Sequence, residues 1–167
     1  LGQITDQGAD TTLLWNPSFY NSFCPLVLSD ETCGEGYLNL EQDQQEMLRF
    51  ALVNSVNAAC ADCPLGIDLQ RADYSVKVFA HTLMANCQQA SQVVWNYSEK
   101  KMPGQLNISY EDMWKFSLVN YNAGGGCLAD ALQQTITKKE SLTWENVSKY
   151  LAPACRASIG YVEDISR

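Results

Sequence analysis

The chain has 167 residues, 46% apolar and 18% charged, with a formal net charge of −8. That length buries a real core and is about one domain's worth of sequence. The acidic balance argues against a nucleic-acid partner, whose phosphates would be repelled, and against an anionic membrane surface. No apolar run reaches the roughly 18 residues that span a bilayer, so membrane insertion is not expected.

Residues 1 to 40 show few helical periods. Asn16-Pro17-Ser18 and Cys24-Pro25 interrupt regular structure, and Asp30 to Gly36 is rich in turn formers. This part is expected to be loops with one or two short helical turns, with Cys24 and Cys33 placed to tie it. Trp15, Phe19, Tyr20 and Phe23 would dock it on the core. From Glu41 to about Ala59 the pattern turns helical, with Leu48, Leu52 and Val56 four apart and Met47 and Ala51 beside them. Glu41, Asp43 and Glu46 suit the positive end of that helix. Cys60 to Gly66 is a break.

A long helix is expected from Leu69 or Arg71 to about Lys101, with Val76, Phe79, Ala80, Leu83, Cys87, Ala90 and Val94 on one stripe and Met102-Pro103-Gly104 as its stop. His81, the single histidine, lies off that stripe and reads as structural or surface. Ser109 and Asp112 form a capping box for a helix carrying Met113, Phe116, Leu118 and Tyr121. That helix runs into Asn122-Ala123-Gly124-Gly125-Gly126. Glycine tolerates the backbone conformations that end helices. Leu128, Ala131, Leu132 and Ile136 mark a further helix. Thr143 caps the next, with Trp144, Val147 and Leu151. Pro153 opens the last, with Cys155, Ile159, Val162 and Ile165 on its apolar side. No segment alternates as a strand does, so the class is all-α.

Seven cysteines, Cys24, Cys33, Cys60, Cys63, Cys87, Cys127 and Cys155, suit an oxidised, exported protein. Cys60-Ala-Asp-Cys63 has zinc-ligand spacing, but no second Cys-x-x-Cys or His pair follows, so disulfides are the favoured reading. Their connectivity stays open. The odd count leaves one thiol, a route to self-assembly or to a partner. Neither a cofactor nor a metal is expected. Asn96, Asn107 and Asn146 begin glycosylation sequons. The chain opens Leu1-Gly2-Gln3-Ile4-Thr5, with no signal peptide, as a trimmed mature form would.

Two short segments carry a resemblance. Leu1-Gly2-Gln3-Ile4 resembles the tail of the Gly-Leu-Met-Gln-Ile motif of soluble lytic transglycosylases, with Gly2 where that motif has Met. Asn120-Tyr121-Asn122-Ala123-Gly124 resembles the family's Ala-Tyr-Asn-Ala-Gly motif, and Tyr161-Val162 the Tyr-Val near the end of these domains. Residues 10 to 110 match in general pattern only, in a stretch longer and richer in cysteine than the family's.

The resemblance implies a single lysozyme-like α-helical domain over residues 1 to 167, loop-rich and disulfide-stabilised in its N-terminal part, that binds and cleaves peptidoglycan glycan strands. In the family one glutamate acts first as acid and then as base. The muramyl 6-hydroxyl attacks, giving a 1,6-anhydro product. One carboxyl serving both steps needs a raised pKa and a partly apolar cleft. Carried over by motif, Tyr121 would support that glutamate, Gln3 would contact substrate, and Asn122 and Gly124 would shape the cleft wall. The family's glutamate precedes the Gly-Leu-Met-Gln motif, so here it is expected ahead of Leu1, with the catalytic helix. Glu31 and Glu35 follow the motif in a loop, and Glu41 and Glu46 read as solvated helix residues. Two alternatives remain: a non-catalytic extracellular structural or glycan-binding domain on the same fold, and a small disulfide-stabilised helical domain whose motifs are coincidental.

Overall fold

Short polar side chains set where the helices of this chain begin. The computed structural model describes residues 4–101 and 108–166. Thr5 Oγ1 accepts from the Gly8 N–H at 3.1 Å and starts α1, Asp6–Trp15. Asn16 then serves twice. Its N–H donates to the Thr12 carbonyl and ends α1, while its side-chain oxygen accepts from the Phe19 N–H at 3.1 Å and starts α2, Pro17–Phe23. Pro17 sits at the first helical position, where its missing N–H costs nothing. Ser29 caps α3, Asp30–Cys33, and 3-10 turns occupy Cys24–Leu26 and Tyr37–Asn39. The stretch expected as loops is therefore largely helical. The break at Asn16 is one residue wide, because an Asn-Pro pair can stop one helix and start the next without a loop, and residues 27–29 and 34–36 separate the later short turns.

The remaining helices are α4 Gln42–Ser55, α5 Leu69–Lys101, α6 Tyr110–Ala123, α7 Gly125–Thr137, α8 Trp144–Lys149 and α9 Ala157–Ile165, the last preceded by a 3-10 turn at Pro153–Cys155. Glu41 and Gln44 form a reciprocal capping box on α4. No strand occurs among the described residues, only one isolated bridge between Ala59 and Ile67. The all-α class holds, and so does disulfide bracing: Cys24–Cys33, Cys60–Cys63 and Cys127–Cys155 are bonded, and Cys87 is free and exposed. No cluster of three or more His, Cys, Asp or Glu able to hold a metal occurs among the described residues. None of the described helices is long and apolar enough to cross a membrane. Gln3, Met102-Pro103-Gly104 and Asn107 lie outside the described residues.

Packing divides the chain into two compact units, Leu1–Ala85 and Asn86–Arg167, and α5 contributes its first half to one and its second half to the other. In the first unit Leu13, Phe19, Phe23, Leu48, Leu52 and Val78 form the centre of the core. Asp10 accepts from the Tyr37 hydroxyl and from Arg49 Nε at 3.0 Å, joining α1, the Tyr37 turn and α4. His81 is structural: its ring lies 5.0 Å from that of Phe19, and its Nδ1 is 3.1 Å from Asn16 Nδ2. The second unit is built on Phe116, Leu128, Leu132, Val147, Leu151 and Val162, all at most 1% exposed.

The buried face of α5 matches its apolar stripe at Ala90 and Val94 and departs from it earlier in the helix. Val76, Ala80 and Cys87 are exposed, whereas Ser75, Val78, Thr82, Ala85, Asn86, Ala90, Val94 and Ser98 are buried. Small hydroxyls fit a packed face because they can bond back to their own helix. Thr82 Oγ1 donates to the Val78 carbonyl at 3.0 Å and Ser98 Oγ to the Val94 carbonyl at 2.7 Å. Thr82 Oγ1 also accepts from the Thr12 hydroxyl at 2.9 Å. Counting apolar letters alone rotates the face by a fraction of a turn. Denaturant unfolding reads the difference: Val78→Ala should cost about 2 kcal/mol and Val76→Ala at most about 0.5 kcal/mol, and equal effects would contradict this register.

Candidate functional site

The site expected from the sequence centres on the end of α6. That helix starts at Ser109, whose Oγ accepts from the Asp112 N–H at 3.0 Å and donates to its carboxylate at 2.5 Å. The other Asp112 oxygen accepts from the Trp144 N–H at 2.7 Å, so the capping residue also anchors the start of α8. Phe116 to Asn120 are buried without interruption. After so fully buried a turn the chain cannot stay apolar and reach solvent, and the change of environment falls on Asn120, Tyr121 and Asn122.

Asn120, 3% exposed, is the pivot. Its Nδ2 donates to Asn86 Oδ1 at 2.7 Å and to Gln89 Oε1 at 2.8 Å, both on α5. Its Oδ1 is buried with no hydrogen-bond partner and points toward Gly125, where a Cβ would stand only 3.0 Å away. Any side chain at 125 would push into an amide held on its other side by two partners. Gly124 has φ +89° and ψ 158°, a region that essentially only glycine occupies. It ends α6 and starts α7 in one residue. The glycine helix end expected from the sequence is therefore a sharper device, a one-residue corner between two helices.

Tyr121 is half-buried, and its ring stacks on that of Tyr161 from α9, with centroids 6.2 Å apart and planes 26° from parallel. Burial raises the pKa of the Tyr121 hydroxyl. Burial, followed by the neighbouring Tyr121, does the same for Tyr161. Both phenols thus stay protonated through neutral pH and can each donate one hydrogen bond. Asn122 is exposed beside them, and Gly124 is partly exposed. Three of the four residues carried over by motif, Tyr121, Asn122 and Gly124, thus share one helix end. Gln3 lies outside the described residues, so its place relative to them is not described.

Glu31, Glu35, Glu41 and Glu46 are all exposed, and Glu31 sits on α3 where a loop was expected. The amide cluster of buried Asn86 and Asn120 with partly exposed Gln89 escapes the sequence reading. Asn86 and Gln89 lie three apart on one helix face, but polar residues in a helix read as solvent-facing unless their partner is already known. Compared with models of known protein families, with curated proteins and with solved structures, the chain matches none.

Two measurements test this geometry. Gly124→Ala should destabilise by about 1–3 kcal/mol through the forced backbone angle. Gly126→Ala meets open space and should be neutral or gain up to about 1 kcal/mol, so equal losses would refute the corner. The second is alkaline titration followed by tyrosinate absorbance. The folded pKa values of Tyr121 and Tyr161 lie above the ordinary tyrosine value of 10.0, so their contribution to stability is complete below pH 10. It is lost as pH rises through the folded values, because the unfolded chain gives up these protons first. Tyr121→Phe should reduce the late-titrating absorbance, and an unchanged curve would contradict the burial of this ring.

Proposed function

We propose that the chain is the larger part of a peptidoglycan-binding and cleaving domain of the lytic transglycosylase type, with its catalytic glutamate ahead of Leu1. The observation that carries this reading is the stacking of Tyr121 on Tyr161. The two tyrosines come from the two C-terminal segments that resemble the family's motifs, forty positions apart in sequence, and they meet at one half-buried patch. A Tyr-Asn-Ala-Gly helix end serving only as a cap would have no need of a second motif residue beside it. In the proposed role Tyr121 donates a hydrogen bond to the catalytic carboxyl. Asn122 and the Gly124 corner form the wall that the glycan passes, and Gln3 contacts substrate.

Strand cleavage between N-acetylmuramic acid and N-acetylglucosamine would then proceed by attack of the muramyl 6-hydroxyl, leaving a 1,6-anhydro end. Three disulfides accord with an exported protein working outside the cell or in its envelope. A second reading has its own support. An acid with a raised pKa needs an apolar surround, and Glu31, Glu35, Glu41 and Glu46 are all exposed. A non-catalytic glycan-binding or structural domain would need no such acid. In that role the exposed Cys87 offers a covalent link to a second copy or to a partner.

Insoluble peptidoglycan separates these readings. The chain alone should co-sediment with it without releasing product. A polypeptide that includes the parent sequence ahead of Leu1 should release anhydromuropeptides, detected by mass spectrometry. In that polypeptide Tyr121→Phe should lower the rate roughly tenfold, the worth of one hydrogen bond of about 1.4 kcal/mol to the reacting carboxyl. Binding without product in both forms selects the non-catalytic glycan-binding reading, and absence of binding in both removes cleavage and glycan binding together and leaves the structural role.

A further inference from the structure

The three disulfides differ in ways that divide their chemistry. Cys24 and Cys33 are buried in the first core, and Cys155 is buried in the second unit. Cys60 and Cys63 are both partly exposed, the only bonded pair of the three without a buried member. Their sequence separation is 3, against 9 and 28 for the others, so this bond constrains the unfolded chain least. The loop that carries it is also held without it. Cys60 N–H donates to the Gly66 carbonyl at 3.0 Å, Gly66 N–H to the Cys63 carbonyl at 2.8 Å, and Asp68 N–H to the Ala58 carbonyl at 2.9 Å. Gly66, at φ +68°, supplies the turn that closes this ring of bonds.

We propose that Cys60–Cys63 is a thiol–disulfide exchange site that takes an external thiol as co-reactant and opens and recloses while the helices stay folded. An external thiolate attacks one Sγ. The Cys60–Cys63 bond breaks as a mixed disulfide forms, and the departing sulfur leaves as a thiolate and takes a proton from water. A second external thiolate attacks the mixed disulfide and releases the other cysteine. Two external thiols thereby leave as one external disulfide, and the chain gains two thiols. Because the main-chain bonds hold Cys60 and Cys63 together, an external disulfide reverses the sequence without a search for the partner sulfur. The access that exchange requires is present here and absent at the buried Cys24–Cys33 pair.

The test uses the full chain with Cys87 first blocked by N-ethylmaleimide. It is equilibrated in glutathione buffers of graded reducing strength, quenched with iodoacetamide and mapped by mass spectrometry. Cys60 and Cys63 should become alkylated together at a glutathione ratio roughly tenfold less reducing than either other pair needs, with helical circular dichroism unchanged. Cys60→Ser or Cys63→Ser should carry a glutathione adduct on the remaining cysteine. The proposal is overturned if the three bonds open together, if Cys60–Cys63 opens last, or if its opening removes the helical signal. Should neither variant fold, the mapping of the unaltered chain decides alone.

Discussion

Asn120 is an amide taken out of water at the end of a helix, and a buried amide left without partners costs on the order of 1–3 kcal/mol. Asn86 and Gln89 take its two N–H groups from α5, and that fixes the last turn of α6 in rotation and depth. The consequences spread outward. The amide oxygen would stand 3.0 Å from a Cβ at position 125, so any side chain there must push back an amide that is already held, and glycine fits best. The chain must turn within one residue, so position 124 must adopt an angle closed to other residues. With the end of α6 pinned, Tyr121 is held at the edge of the core, where the ring of Tyr161 covers one of its faces. A local hydrogen-bond requirement thus positions the one patch on which the functional reading rests.

The same economy of polar groups recurs on α5, whose buried face carries hydroxyls and an amide among its small apolar residues. Each hydroxyl that bonds its own helix leaves a flat surface against which neighbours can pack closely. Larger apolar residues at those positions would thicken the face. Some of the apolar residues the helix does contain, Val76 and Met84 among them, are exposed instead. The cysteines divide along similar lines. Two bonds join segments that are buried at one or both ends and brace them. The third closes a four-residue ring on the surface, in a loop already held by its backbone, where it is exposed to chemistry and adds little bracing.

Much of the fold was legible before any coordinates. Leu48, Leu52 and Val56 recur at helical spacing and are buried, as are Leu128, Ala131, Leu132 and Ile136. Ser109 and Thr143 cap the helices that follow them, because an N-cap is read from residues within one turn. What failed was where a local signal had two meanings. Asn16-Pro17 is a break, but it is also a stop and a start back to back, and only the neighbouring turns decide which. The face of α5 failed because the partner that makes Asn86 a core residue lies thirty-four positions away.

The candidate site divides in the same way. Its residues were legible as a motif, since Tyr121, Asn122 and Gly124 are contiguous and their chemistry travels with their letters. Their arrangement was not, since the stack on Tyr161 and the amide bonds to Asn86 and Gln89 are long-range contacts that no local pattern encodes. The amino-acid sequence by itself determined the all-α class, most helix boundaries and the chemical groups on offer, because those follow from periodicity, capping and side-chain type within a few residues. Beyond the Cys24–Cys33 tie, which the short spacing suggested, tertiary structure alone decided which face of α5 is buried, which cysteines pair and which tyrosines meet. Each of those depends on groups far apart in the chain reaching contact distance, and burial then determines whether a polar group is an ornament of the surface or a constraint on the core.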